Sequence, residues 1–296
     1  MTKVVCYYNP ENGRSRHVAH AMEAGFVRHG LQVRCETSFA GVAGDLAVAY
    51  GWRNKDAFNS YVRAGGHALY IDMGFWDRKP AGSPREGYHK VVLDDWCPTK
   101  TMRRGCPEDR FSRLGVQVRE ARAGKTIVVA GMSGKSARDH GYASNEWEAK
   151  VIDRLRKVTR RPIVYRPKPS WKEARPIAGA GYSIGSVPIA DVLAGAHMLV
   201  SHHSNAAVDA IVAGVAVYCE QGVASLLSVP SLETVDDAKP ATIQERLKLL
   251  QDIAWCQWTP SEMRSGECWD HYRELICQLS AGNLSPVSKI DTKSVI

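Results

Sequence analysis

The feature that most narrows the fold is a change of hydrophobic period that recurs along the chain. Apolar runs of strand length, KVVCYYN (3–9), LQVRC (31–35), LAVAYGW (46–52), HALYIDMGFW (67–76) and YHKVVLDDW (88–96), alternate with segments of helical spacing. Between Arg16 and His29, Val18, Met22 and Phe26 fall on one helical face, and Gly30 stops the segment. Phe58 to Ala64 predicts a shorter helix ended by Gly65-Gly66. Two stretches rich in Pro, Gly and charge, 77–87 and 97–115, read as loops. A second series then begins with a strand at KTIVVAGM (125–132), a helix from about Ser144 to Val158 and a Pro-broken strand PIVYRPKP (162–169). It continues with a short helix from Ile189 to Ala194, a strand HMLVSHH (197–203), a helix SNAAVDAIVAG (204–214), a strand VAVYCE (215–220) and helices near 242–256 and 261–279.

Strands alternating with helices predict an α/β chain with mostly parallel sheets. A length of 296 residues suits two modest domains. The reading is therefore two Rossmann-like α/β domains, 1–115 and 116–280, facing across a cleft, with a polar tail at 281–296. Ligands of such folds bind beside the carboxyl ends of the strands.

Composition excludes several classes. The longest apolar runs, 127–132 and 211–219, fall well short of the roughly 18–20 residues that cross a bilayer, so no membrane span is expected. The chain opens on a strand-like run without a leader pattern, and its eight cysteines are scattered with no CxxC pair. Both points suggest a cytoplasmic protein with reduced thiols, and no zinc site stands out. The net charge of +8 favours anionic partners, nucleic acid or nucleotide sugars. Residues 119–175 carry fifteen Lys/Arg against six Asp/Glu, so the excess is local.

Five constellations can carry chemistry. A strand ending in Ser201-His202-His203 meets a helix opening at Ser204-Asn205, where backbone N–H groups and the helix dipole favour an anion, and Asp209 lies in the first turn to accept from a hydroxyl. Prolines flank Arg166 and Lys168 and fix their directions, which suits a diphosphate. Ser133-Gly134-Lys135-Ser136 follows a strand like the end of a P-loop, but Val129 breaks the GxxxxGK[ST] spacing; a loop facing a phosphate remains. Asp72, at the end of a strand in the first half, could act as a general base, with Asp94 and Asp95 as rivals and His89 orienting an acceptor. Trp52 and Trp76 could stack on a ring and Arg53 could meet a phosphate, although core packing explains Trp52 equally well.

These residues resemble the donor half of glycosyltransferases of the GT-B fold. The resemblance is carried by Arg166-Pro167-Lys168-Pro169, by Ser201 to Gly214, and by the strand holding Tyr218 and Glu220. In that family an acidic residue five positions before a glycine holds the donor ribose. Here Asp209 stands five before Gly214, where the family more often has Glu, and Gly214-Val215-Ala216 replaces its usual Gly-x-Pro. More narrowly, YGWRN, YIDMGFW, RPKPS, HHSNAAVDA and DIAWCQWTPSEMRSGECW (252–269) look like glycosyltransferase-like proteins of tailed phages.

The resemblance implies transfer of a sugar from a UDP-sugar such as UDP-glucose, without a required cofactor and without strict dependence on a metal, though a divalent cation could take part. The donor would lie against Ser133, Gly134, Lys135, Arg166, Lys168, His202, His203, Ser204, Asn205, Asp209 and Glu220. An inverting reaction would use Asp72 as base. The implied acceptor is the hydroxymethyl group of 5-hydroxymethylcytosine or 5-hydroxymethyluracil in double-stranded phage DNA, in the host cytoplasm. Trp52, Arg53, Trp76, His89, Arg103 and Arg104 would contact it. The alternatives are a polysaccharide or small-molecule acceptor, a nucleotide-sugar epimerase or hydrolase, and a non-catalytic DNA-binding protein of GT-B-like shape.

Overall fold

Val4-Val5-Cys6-Tyr7 shows no polar alternation because both faces of the strand are covered, the pattern of a parallel sheet between helical layers. A computed structural model describes residues 3–280 apart from 84, 123 and 185; the expected polar tail lies outside the described residues. In the first unit, β1 (Lys3–Tyr7), β2 (Gln32–Glu36), β3 (Leu46–Tyr50) and β4 (His67–Met73) run parallel in the order β2-β1-β3-β4, and β5 (His89–Leu93) joins β4 antiparallel. Val4 and Cys6 face a core shared with Val18, Met22 and Phe26 of the helix Gly13–Arg28. Val5 and Tyr7 face the opposite way, toward Ala57, Phe58 and Tyr61 of the helix Lys55–Arg63.

The second sheet is wholly parallel: β6 (Thr126–Ala130), β7 (Ile163–Arg166), β8 (Gly181–Tyr182), β9 (Ala196–Ser201) and β10 (Ala216–Cys219), in the order β10-β9-β6-β7-β8. Ala130 pairs with both Arg166 and Ser201, and Ser201 pairs with Cys219. The register therefore aligns the carboxyl ends of β6, β7, β9 and β10 on one edge.

The chain then returns to the first sheet. A two-residue strand, β11 (Gln257–Trp258), pairs antiparallel with β5, with Trp258 opposite His89. The helices Pro260–Ser265 and Glu267–Ser280 pack there too, placing Trp258, Met263, Trp269 and Tyr272 in the first core. The two units are thus residues 1–110 with 252–296, and residues 111–251. The sequence reading assigned 252–280 to the second domain. An amphipathic period shows that a helix buries a face but not which sheet covers it.

Local chemistry fixes the destination. Arg110 is 4% exposed; its guanidinium donates two hydrogen bonds to the Glu262 carboxylate, at 2.7 and 3.2 Å, donates to the Gln257 and Ala254 carbonyls, and lies 3.9 Å over the Trp258 ring. The Tyr272 hydroxyl donates to the Val91 carbonyl at 2.6 Å. Gly25 carries the same contact from the other side: a Cβ there would run into the Met263 carbonyl oxygen. No helix of the described residues is long and apolar enough to cross a membrane.

Candidate functional site

In the second sheet the chain goes from β6 to β7 and β8 on one side, then returns to lay β9 against β6 on the other. The point where the winding direction reverses lies between β6 and β9. In doubly wound folds the crevice outside the strand ends at such a reversal point is where ligands bind. The loop after β6 carries Ser133 to Ser136, and the loop after β9 carries His202 to Asn205. Both stretches singled out by sequence meet here: the Ser136 hydroxyl and His203 Nε2 are 2.9 Å apart.

The meeting gathers more residues. His202 Nδ1 and His203 Nδ1 are 2.8 Å apart, and the His140 ring stacks on His203 with centroids 4.6 Å apart at 19°. His140 Nδ1 donates to the Ser136 carbonyl at 2.8 Å. His202 is 3% exposed, enclosed by His140, Tyr142 and Trp147, and burial, reinforced by His140, pulls its pKa down to about 4. Glu220, at the end of β10, accepts from Trp147 Nε1 at 3.0 Å and lies 3.8 Å from His202 Nε2. Burial raises the Glu220 carboxyl above its ordinary range. Below this layer the fully buried Glu148 holds the loop after β6, accepting from Met132 N–H at 2.6 Å, and burial raises it as well.

Other expected donor residues are placed differently. The stretch Gly134–Asp139 is a short helix rather than a loop, with Ser133 at its cap accepting from Ser136 N–H, and Lys135 is exposed. Arg166, 8% exposed at the end of β7, donates to the Val187 carbonyl at 2.9 Å. Burial lowers its pKa while the charge of Asp209 opposes that effect, so the pair expected to contact diphosphate and ribose interact electrostatically. Lys168 is exposed. The helix Ala206–Ala213 starts under Ser204: Ala206 N–H donates to the Ser204 hydroxyl at 3.2 Å and Ala207 N–H to its carbonyl at 3.0 Å. Asn205 makes no side-chain cap. Two amides expected to bind an anion are therefore occupied, and the polar groups of this crevice are chiefly side chains.

The first sheet has its own reversal point between β1 and β3. Asn54 bridges it, donating to the carbonyls of Tyr7 at 3.2 Å and Tyr50 at 2.8 Å, and Arg53 reaches Asn9 Oδ1 at 3.2 Å. Asp72 ends β4, half-buried, with one oxygen accepting from the Tyr70 hydroxyl and the other from Met73 N–H. Burial and then the Asp72 charge raise the Tyr50 phenol, and the same two causes raise Tyr70. Trp76 N–H and Phe75 N–H share Gln257 Oε1, so β11 orders the loop beyond Asp72.

Three expected acceptor contacts, and one of the rival bases, are used internally. Trp52 packs on Trp96 at 4.7 Å, beside Phe58 and Tyr70, which favours the packing reading. His89 is fully buried against Tyr50, and burial pulls its pKa down to about 4. Arg103 pairs with Glu274 at 3.2 Å, and Asp94 accepts from His67 and Ala68 at 2.7 Å. Arg104 is exposed. Sequence reading missed His140, Trp147 and Glu148. His140 stands four residues after Ser136, one helical turn, the one local sign that both point the same way.

No protein-family model matches the sequence, and no curated protein matches it. Solved structures do. A Thermosulfurimonas dismutans Kdo transferase domain, KpsC β-Kdo 2,7-transferase, superposes with a TM-score of 0.50 at 10% identity, over 92% of this chain and 100% of that one. The fold is GT-B. The β-Kdo 2,4-transferase of the same organism gives 0.45 at 10% identity over 84% and 98%. An Anabaena protein, HepE, solved with UDP-glucose, gives 0.36 at 11% identity over 94% and 78%.

Proposed function

We propose that the protein is a glycosyltransferase that uses a nucleotide sugar. The observation that carries this reading is the junction of Ser136 with His203 at the reversal point of the second sheet, where the loops after β6 and β9 meet. In a GT-B fold such a crevice is where a nucleoside diphosphate is expected, and neutral polar donors there can orient its oxygens. Ser136 and His203 bind the diphosphate. Arg166, kept in place by Asp209 and Val187, contributes positive potential at the same strand edge. The UDP moiety and glucose are the working choice of donor.

On the first unit, Asp72 takes the proton from the acceptor hydroxyl as that oxygen attacks the anomeric carbon, giving inversion. The acceptor class is assigned by experiment. A hydroxymethylpyrimidine in DNA is one candidate, although Arg103 and Arg110 of the basic stretch 100–125 are paired to Glu274 and Glu262. The test incubates the full chain with a panel of UDP-, TDP- and CMP-sugars and acceptors, including DNA with 5-hydroxymethylcytosine or 5-hydroxymethyluracil, and weighs the products. Ser136→Ala and His203→Ala are expected to weaken donor binding at least tenfold. Asp72→Asn is expected to abolish transfer while thermal stabilisation by the donor persists. Donor breakdown at equal rates with and without every acceptor would turn the reading toward a hydrolase, and no stabilisation by any nucleotide sugar would end it.

A further inference from the structure

Three imidazoles close together, His140 at the end of the short helix Gly134–Asp139 and His202 and His203 just after β9, need a reason. In the crevice of the second unit, His140, His202 and His203 each offer a ring nitrogen, and these three atoms lie within 4.8 Å of one another. The facing Nδ1 atoms of His202 and His203 are 2.8 Å apart, a separation that one shared proton or one cation can satisfy. The other nitrogens are held from outside. His140 Nδ1 donates to the Ser136 carbonyl, which fixes its tautomer and leaves Nε2 with a lone pair. His203 Nε2 meets the Ser136 hydroxyl at 2.9 Å, and His202 Nε2 faces the Glu220 carboxylate at 3.8 Å, itself held by Trp147. Imidazoles that bind metal are oriented in this way, through the nitrogen that does not bind.

We propose that His140, His202 and His203 form a site for a zinc-class dication, with a fourth position open to an anionic oxygen. Zinc binds imidazole at about 2.0–2.1 Å, so two ligands in a tetrahedral shell stand roughly 3.3 Å apart. The 2.8 Å gap between the two Nδ1 atoms needs to open by only about half an ångström to reach that value. The metal inference stands on the histidine geometry alone and not on the sugar-transfer reading.

The test uses untagged full-length protein titrated with Zn²⁺ by calorimetry, with Co²⁺ as a spectroscopic probe. The expected result is one high-affinity ion per chain and visible d–d bands of a tetrahedral site. His140→Ala and His203→Ala lower the affinity tenfold or more, and Ser136→Ala lowers it by about 10–100-fold as an outer partner of His203. A second group in the first unit, His20, Glu23 and the half-buried Cys35, could also take metal, so His20→Ala is the control and leaves the high-affinity ion in place. Absent saturable binding, binding unchanged in both His140→Ala and His203→Ala, or binding lost in His20→Ala overturns the proposal. If a variant does not fold, ring-proton NMR of the unmodified chain decides. Zn²⁺ must shift the signals of all three histidines, and unshifted signals count against the site. Donor binding measured in the presence of a chelator tests the sugar reading separately: either can fail alone.

Discussion

Replacing Arg110 by Met tests whether one buried cation holds the returning C-terminal segment on the first sheet. Arg110 donates twice to Glu262, and to the carbonyls of Gln257 at 2.8 Å and Ala254 at 3.3 Å, while stacking on Trp258. Removing one member of a buried ion pair costs about 3–5 kcal/mol, because the other is left charged and unpaired. Glu262 softens this. Its side chain is 16% exposed and its carboxylate also accepts from Thr259 N–H and hydroxyl in a capping box. The lost carbonyl partners and cation–π contact each add roughly 1 kcal/mol. The expected loss for Arg110→Met is therefore about 4 kcal/mol. Glu262→Gln keeps an acceptor for Thr259 and should cost less. The double variant should fall short of the sum by about 2 kcal/mol, the coupling of residues in direct contact. Urea unfolding followed by tryptophan fluorescence reads this, since Trp255, Trp258 and Trp269 lie in the returning segment. A loss below 1 kcal/mol for Arg110→Met, with additive single variants, would refute the idea that this pair anchors the segment.

Two further outcomes follow from the same structure. His89, His202 and His271 all have pKa values pulled down to about 4, chiefly by burial, from an ordinary 6.5. Between those values the unfolded chain binds protons that the folded chain does not, so stability falls as pH drops from 6.5 toward 4. The slope reaches at most about 4 kcal/mol per pH unit, three protons' worth, and a melting temperature that stays flat from pH 6.5 to 4.5 would contradict it. Gly131→Ala puts a methyl 2.8 Å from the Tyr165 ring and 3.1 Å from Glu148 Oε1, so about 1–3 kcal/mol of strain should appear in the melting curve, with weaker donor binding through the displaced loop after β6; unchanged melting and binding would show that the loop has room.

How much of this was written in the sequence depends on whether a residue's partners are local. The longer strands of both sheets announce themselves, because a parallel strand covered on two faces must be continuously apolar, as Val4 to Tyr7 and Ile127 to Ala130 are, whereas the two-residue β8 and β11 are too short to show a pattern. The loops after β6 and β9 are legible for the same reason: each follows such a run and carries small or polar residues where a helix starts. Their meeting is legible only through topology, since nothing in Ser133–Ser136 says that β9 will lie against β6. His140 is invisible to motif reading, because its role comes from a stack with a residue more than sixty positions away. Charge is the least legible property. Arg103, Arg110 and Arg166 look alike in a basic sequence, yet the first two are held by Glu274 and Glu262, and only Arg166 ends a strand at a crevice. Net charge therefore says little about an acceptor here. The proposed chemistry rests on a few side chains at strand ends, and the first unit's Asp72, whose two oxygens accept one hydrogen bond each from the Tyr70 hydroxyl and Met73 N–H, keeps a lone pair on each for the substrate hydroxyl it would deprotonate.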